Sequence, residues 1–83
     1  MTTDEIRTLL VAAFPEAQEV EVQGEGAKFT VTVVSPRFEG MRPVAKQQAV
    51  YAPLNPHIAT GAIHAVTMRL FTPEEWRKAR LFG

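Results

Sequence analysis

The chain has two histidines, His57 and His64, and no cysteine among its 83 residues. Imidazole can ligate a metal, move a proton or change charge near neutral pH. A structural zinc site takes four ligands, commonly thiolates and imidazoles, and two histidines do not supply such a set. A complete metal site within this chain is not expected, and a partial site finished by a partner stays open. His64 opens the β-rich run 63–71, where it reads either as a half-buried packing residue or as a ligand. His57 reads as an exposed helix residue. Without a thiol, a nucleophile would have to be Ser35, a threonine or a lysine, and no sequence context sets Ser35 against a histidine and an acid. Glu74 and Glu75 follow Thr72-Pro73, a helix start at which carboxylates complement the dipole. Helix capping is the better reading of the pair, and the chain reads as a non-enzyme.

Two further segments invite a ligand. Gly24-Glu25-Gly26-Ala27-Lys28 is glycine-rich, but a phosphate loop must open a helix so that backbone N–H groups meet the anion. Here the glycines join two strand-like runs, so Gly24-Glu25-Gly26 is expected to form a hairpin turn. Arg37, Arg42 and Lys46 are the one local basic cluster, suited to phosphates or to a solvated helix face. Net charge is zero, with nine acids and nine bases, although residues 1–26 carry six acids and one base. Nucleic-acid binders usually present a dominant basic surface. The aromatic residues fall at core-like positions rather than forming a stacking platform.

These residues must be positioned by a single small domain, residues 1–83. Thr2-x-x-Glu5 is a capping box, and Ile6, Leu9, Leu10, Ala13 and Phe14 repeat with helical spacing until Pro15 stops them. Val20 and Val22 alternate with acids; Phe29, Val31 and Val33 alternate with Lys28, Thr30 and Thr32. Two antiparallel strands result. Residues 36–40 suggest one helical turn. A helix over 42–52 should end at Pro53, and Asn55-Pro56 should cap a second short helix that ends at Thr60-Gly61. A third strand within 63–71 and a last helix from Thr72-Pro73 complete the order α-β-β-α-α-β-α. Helices between strands two and three favour a parallel crossover. If those strands pair directly, the turn before Lys28 lies at the same rim as His64. The N-terminus has no signal-peptide pattern and no apolar run approaches a membrane span, which points to the cytoplasm.

Several segments together carry a family resemblance: Arg37-Phe38-Glu39-Gly40-Met41, Lys46-Gln47-Gln48-Ala49-Val50-Tyr51-Ala52-Pro53-Leu54, Ile63-His64-Ala65-Val66 and Thr72-Pro73-Glu74-Glu75-Trp76. In order and spacing they resemble the BolA family, and within it the YrbA/IbaG-like branch. The resemblance implies a class II KH-like α+β domain with a three-stranded mixed sheet covered by helices. It also implies a non-enzymatic partner of a monothiol glutaredoxin with glutathione, the two proteins sharing a [2Fe–2S] cluster absent from the isolated chain. His64 matches the family's cluster ligand. A second family ligand, His or Cys in the hairpin loop, falls on Lys28, whose protonated amine has no lone pair to donate. Lys28, His64, Arg37 and Lys46 are the implied partner-facing residues. The alternative is a transcriptional or stress-response regulator that contacts nucleic acid weakly through Arg37, Arg42 and Lys46. KH recognition uses a G-x-x-G loop, and residues 54–57 hold no glycine pair, so the KH likeness concerns fold alone.

Overall fold

Helix α1 (Thr3–Ala13) begins on a complete capping box. The Thr2 hydroxyl accepts from the Glu5 amide at 3.1 Å, and the Glu5 carboxylate accepts from the Thr2 amide at 2.9 Å. Two of the amide donors that a helix start leaves without partners are thereby satisfied. Ile6, Leu10 and Phe14, each one turn from the next, are all buried. The computed structural model describes residues 1–82; Gly83, the last residue of the expected domain, lies outside them.

Strands β1 (Glu19–Glu25) and β2 (Lys28–Val34) pair antiparallel, and β2 pairs in parallel with β3 (Ala65–Phe71), in the order β1-β2-β3. The direct β2–β3 pairing on which the rim argument rested is therefore present. A short 3-10 turn (Pro36–Phe38) and helix α2 (Pro43–Ala59) cross from β2 to β3, and α3 (Pro73–Phe82) follows. The architecture is the expected α+β fold with a mixed sheet. Phe29, Val31 and Val33 on the central strand pack with Ile6, Leu10 and Phe14 of the α1 segment and Val50 and Leu54 of α2 in one apolar core.

Two local expectations are corrected. The hairpin turn is the two-residue Gly26-Ala27, because Glu25 pairs with Lys28 and Gly24 lies within the ladder opposite Phe29. Only Gly26 needs a left-handed backbone, with φ of 62°, as the first central residue of a II′ turn requires. Gly24 is required for a different reason. A Cβ there would collide with the Lys28 carbonyl oxygen and come within 2.7 Å of Phe29 Cδ1.

The second correction concerns α2, which runs unbroken through Pro53 and Pro56, leaving Asn55 mid-helix rather than as a cap. Each proline removes one amide donor from the helix ladder. Val50 and Leu54, fully buried and one turn apart, flank Pro53 and hold the helix against the core on either side of it. Tertiary burial thus outweighs the local helix-breaking preference. The two helical pieces between β2 and β3 are the 3-10 turn and this one long helix.

Truncating Leu54 to Ala should cost about 2–5 kcal/mol of stability in urea unfolding, since the side chain is fully buried. Gly24→Ala should also destabilise the domain, whereas Asn55→Ala, at an exposed helix position, should leave it nearly unchanged.

Candidate functional site

The parallel register sets Lys28 opposite Ala65, so His64 sits one residue ahead of the ladder, against the hairpin turn. The amides of His64 and Ala65 both donate to the Ala27 carbonyl, at 2.7 and 3.2 Å. On the other side, Ile63 is buried and its amide donates to the His57 carbonyl at 3.0 Å. The His64 backbone is therefore held from two directions, by the turn and by the end of α2.

The His64 side chain is exposed, which overturns the half-buried packing reading. It lines a hollow of about 290 Å³ with Tyr51, Ile58, Ile63, Ala65 and Val66. Tyr51 and Ile58 were not anticipated as neighbours of His64. They lie two turns apart on one face of α2, and the expected break at Pro53 had separated them. Lys28 is exposed at the same rim but does not line this hollow. Pairing places the two backbones together without bringing the lysine into the histidine's surroundings.

The basic cluster is dispersed. Arg37 donates to the Ala13 carbonyl at 3.0 Å and to Glu16 at 3.1 Å, and its guanidinium lies 4.7 Å from the centre of the Phe14 ring. Ser35, the N-cap of the 3-10 turn, also donates to Glu16. Arg37 thus ties the end of α1 to the segment after β2. Lys46 pairs with Glu75 at 3.6 Å and keeps only 15% of its side chain exposed. Arg42 is exposed as the N-cap of α2, with no side-chain capping bond. Of the three, Arg37 and Lys46 are each engaged in an ion pair within the fold, and Arg42 is exposed.

His57 is half-buried rather than exposed, beside Glu5 and Leu9 of α1, in a different hollow from His64. Glu75 caps α3 by accepting from the Thr72 amide at 2.8 Å, and Glu74 pairs with Lys78. Trp76 packs on Phe71 with ring centroids 5.3 Å apart. Among the described residues no group of three His, Cys, Asp or Glu side chains is placed to hold a metal ion. His64 can offer one donor to a metal whose other ligands come from elsewhere.

The BolA-like protein family model matches residues 10–75. The chain belongs to the BolA family. Over its full length this BolA-family chain is 55% identical to a protein from the rpoN-murA intergenic region of Acinetobacter guillouiae, covering 99% of it. It is 45% identical over 80 residues to the acid stress protein IbaG of Escherichia coli, with 96% of this chain and 94% of IbaG covered. The likeness to IbaG agrees with the branch that the sequence segments suggested. A BolA homologue from Coxiella burnetii superposes with a TM-score of 0.80 at 28% identity, covering 93% of this chain and 97% of that one.

Three carboxyl groups of this BolA-family protein are held below their ordinary range. Glu5 accepts from the Thr2 amide and then the Thr2 hydroxyl; Glu75 accepts from the Thr72 amide and faces Lys46. Glu16 is stabilised first by its own backbone amide and then by Arg37. A carboxyl whose pKa is depressed on folding stabilises the fold above its unfolded pKa and loses that contribution as pH falls through the folded value. The thermal midpoint should therefore drop as pH is lowered below the ordinary 4.5, with the decline shallower in Glu5→Gln and Glu75→Gln. Arg37→Gln, which loses its bonds to the Ala13 carbonyl and to Glu16, should lower the thermal midpoint at pH 7.

Proposed function

We propose that this chain is a non-catalytic cytoplasmic adaptor that docks on a monothiol glutaredoxin and lends His64 to a shared [2Fe–2S] cluster. The observation that carries the reading is the exposed imidazole of His64, fixed by backbone bonds at the sheet rim and bordered by an open hollow. BolA-family membership supports it, since the family comprises adaptors and regulators rather than known enzymes. The likeness to an acid stress protein suits a role in stress responses.

The donor chemistry suits a cluster shared with a thiolate-bearing partner. Iron–sulfur clusters are bound by thiolates, with imidazole as the established nitrogen substitute. This chain has no cysteine, and a lysine, Lys28, stands where the family resemblance places a second ligand. His64 would be its single donor, with the glutaredoxin cysteine and glutathione supplying the thiolates. Bound, the cluster provides iron for transfer or a one-electron redox centre. The chain's own part is to present the His64 imidazole on a backbone held by its amide bond to the Ala27 carbonyl.

Adding the protein to cluster-loaded glutaredoxin should change the visible absorption and circular dichroism of the cluster. His64→Ala should return the spectrum of the glutaredoxin alone. Identical spectra for wild type and His64→Ala would show that His64 is not a ligand. Lys28→His, which places a second imidazole at the rim, should shift the wild-type spectrum further.

A further inference from the structure

The two edges of the sheet are not alike. On β1 the strand is packed by α1, the Arg7 Nε donates to the Val20 carbonyl at 3.1 Å, and Glu19, Glu21 and Glu25 place charge along the strand. Charge and cover of this kind protect an edge from pairing with another chain. On β3 the situation is reversed. The Ala65 amide donates to Ala27 and the Phe71 carbonyl accepts from Ser35, so Ala65, Thr67, Arg69 and Phe71 direct their backbone groups at β2. Direction alternates along a strand. Val66, Met68 and Leu70 therefore turn three amides and three carbonyls outward. With β3 last in the sheet, these groups have no backbone partner among the described residues. The strand's one charge is Arg69.

Two separate hollows lie between this strand and α2. One is lined by residues that include His64, Tyr51, Ile58 and Val66. The second, of about 230 Å³, is lined by Pro43, Lys46, Gln47, Met68 and Leu70. Val66, Met68 and Leu70 are only half-buried, so apolar surface and open hydrogen-bonding groups run together from Val66 to Leu70.

We propose that the partner docks by adding an extended segment to the free edge of β3, as a fourth strand beginning at His64. Main-chain bonds to Val66, Met68 and Leu70 would supply affinity, and alternate apolar side chains would enter the two hollows. The strand's charge sets the rest of the segment's chemistry. Arg69, exposed on the outer face of the strand, favours an acidic residue between the apolar ones. The mode rests on the glutaredoxin reading and deepens it, because one hollow is lined by both His64 and the edge residue Val66. A strand docked there holds the partner's cluster donors within reach of the imidazole.

The test is amide hydrogen exchange followed by NMR on the ¹⁵N-labelled full chain, alone and with a monothiol glutaredoxin plus glutathione. Strand addition predicts an alternating pattern. Exchange at Val66, Met68 and Leu70 should slow by roughly tenfold or more, while Thr67 and Arg69, already bonded to β2, should change little. Met68→Pro removes one outward donor without touching the β2 ladder and should weaken binding by about tenfold or more. Met68→Leu should bind like wild type. If the partner binds and the three amides exchange as before, the strand-addition mode is overturned while the glutaredoxin reading stands. If the wild-type chain does not bind the glutaredoxin, that reading falls and this inference with it. The wild-type exchange pattern decides the matter even if Met68→Pro does not fold.

Discussion

The parallel pairing of β2 with β3 is the constraint on which the rest of this structure depends. Parallel neighbours cannot be joined by a tight turn; the chain must leave one end of the sheet and return to the other. Here that return is made by the 3-10 turn and α2. The same requirement buries the face of α2 that carries Val50 and Leu54 and makes β2 the central strand, with Val31 and Val33 fully buried. It also delivers the start of β3 to the rim where the β1–β2 hairpin turns. His64 is at that rim because the crossover ends there, and its amide bonds to Ala27 because the register admits no slip. A one-residue shift would exchange Val66, Met68 and Leu70 with Thr67 and Arg69 across the faces of the sheet.

Charge in this fold is used chiefly to join elements. Arg37 fastens the end of α1 to the segment after β2 through Glu16 and the Phe14 ring, and Lys46 fastens α2 to α3 through Glu75. Both pairs are partly solvated, so each contributes little to stability. Their consequence is as much functional as energetic, because the guanidinium and ammonium groups so engaged do not form a free basic surface. The β3 side of the fold instead presents an imidazole, two hollows and a row of strand hydrogen-bonding groups. That combination suits a protein partner better than a phosphate backbone.

Much of this was legible in the residues, and the failures share a cause. Thr2-x-x-Glu5, the alternation of Phe29, Val31 and Val33, and Thr72-Pro73 with Glu75 are signals that act within a few residues of themselves. Each appears in the structure as read. The break expected at Pro53 did not occur, because whether a proline ends a helix depends on what the next turn buries, and Leu54 buries against residues far along the chain. Losing that continuity hid Tyr51 and Ile58 as neighbours of His64. Gly24 was taken for a turn residue when its need is a cross-strand contact with Phe29. The engagement of Arg37 by Glu16, 21 residues away in sequence, is equally invisible to local pattern. The position of His64 was legible because it follows from topology, which a helical crossover nearly determines.

The central claim is that His64 supplies a nitrogen ligand to a cluster that another protein largely holds. Its most direct measurement is pulsed electron paramagnetic resonance of the reduced cluster in the complex, with ¹⁵N-histidine incorporated only into this chain. The account predicts a strongly coupled ¹⁵N imidazole signal in the wild type that persists in His57→Gln and disappears in His64→Ala. A complex that forms, carries the reduced cluster and shows no histidine coupling from this chain would contradict it.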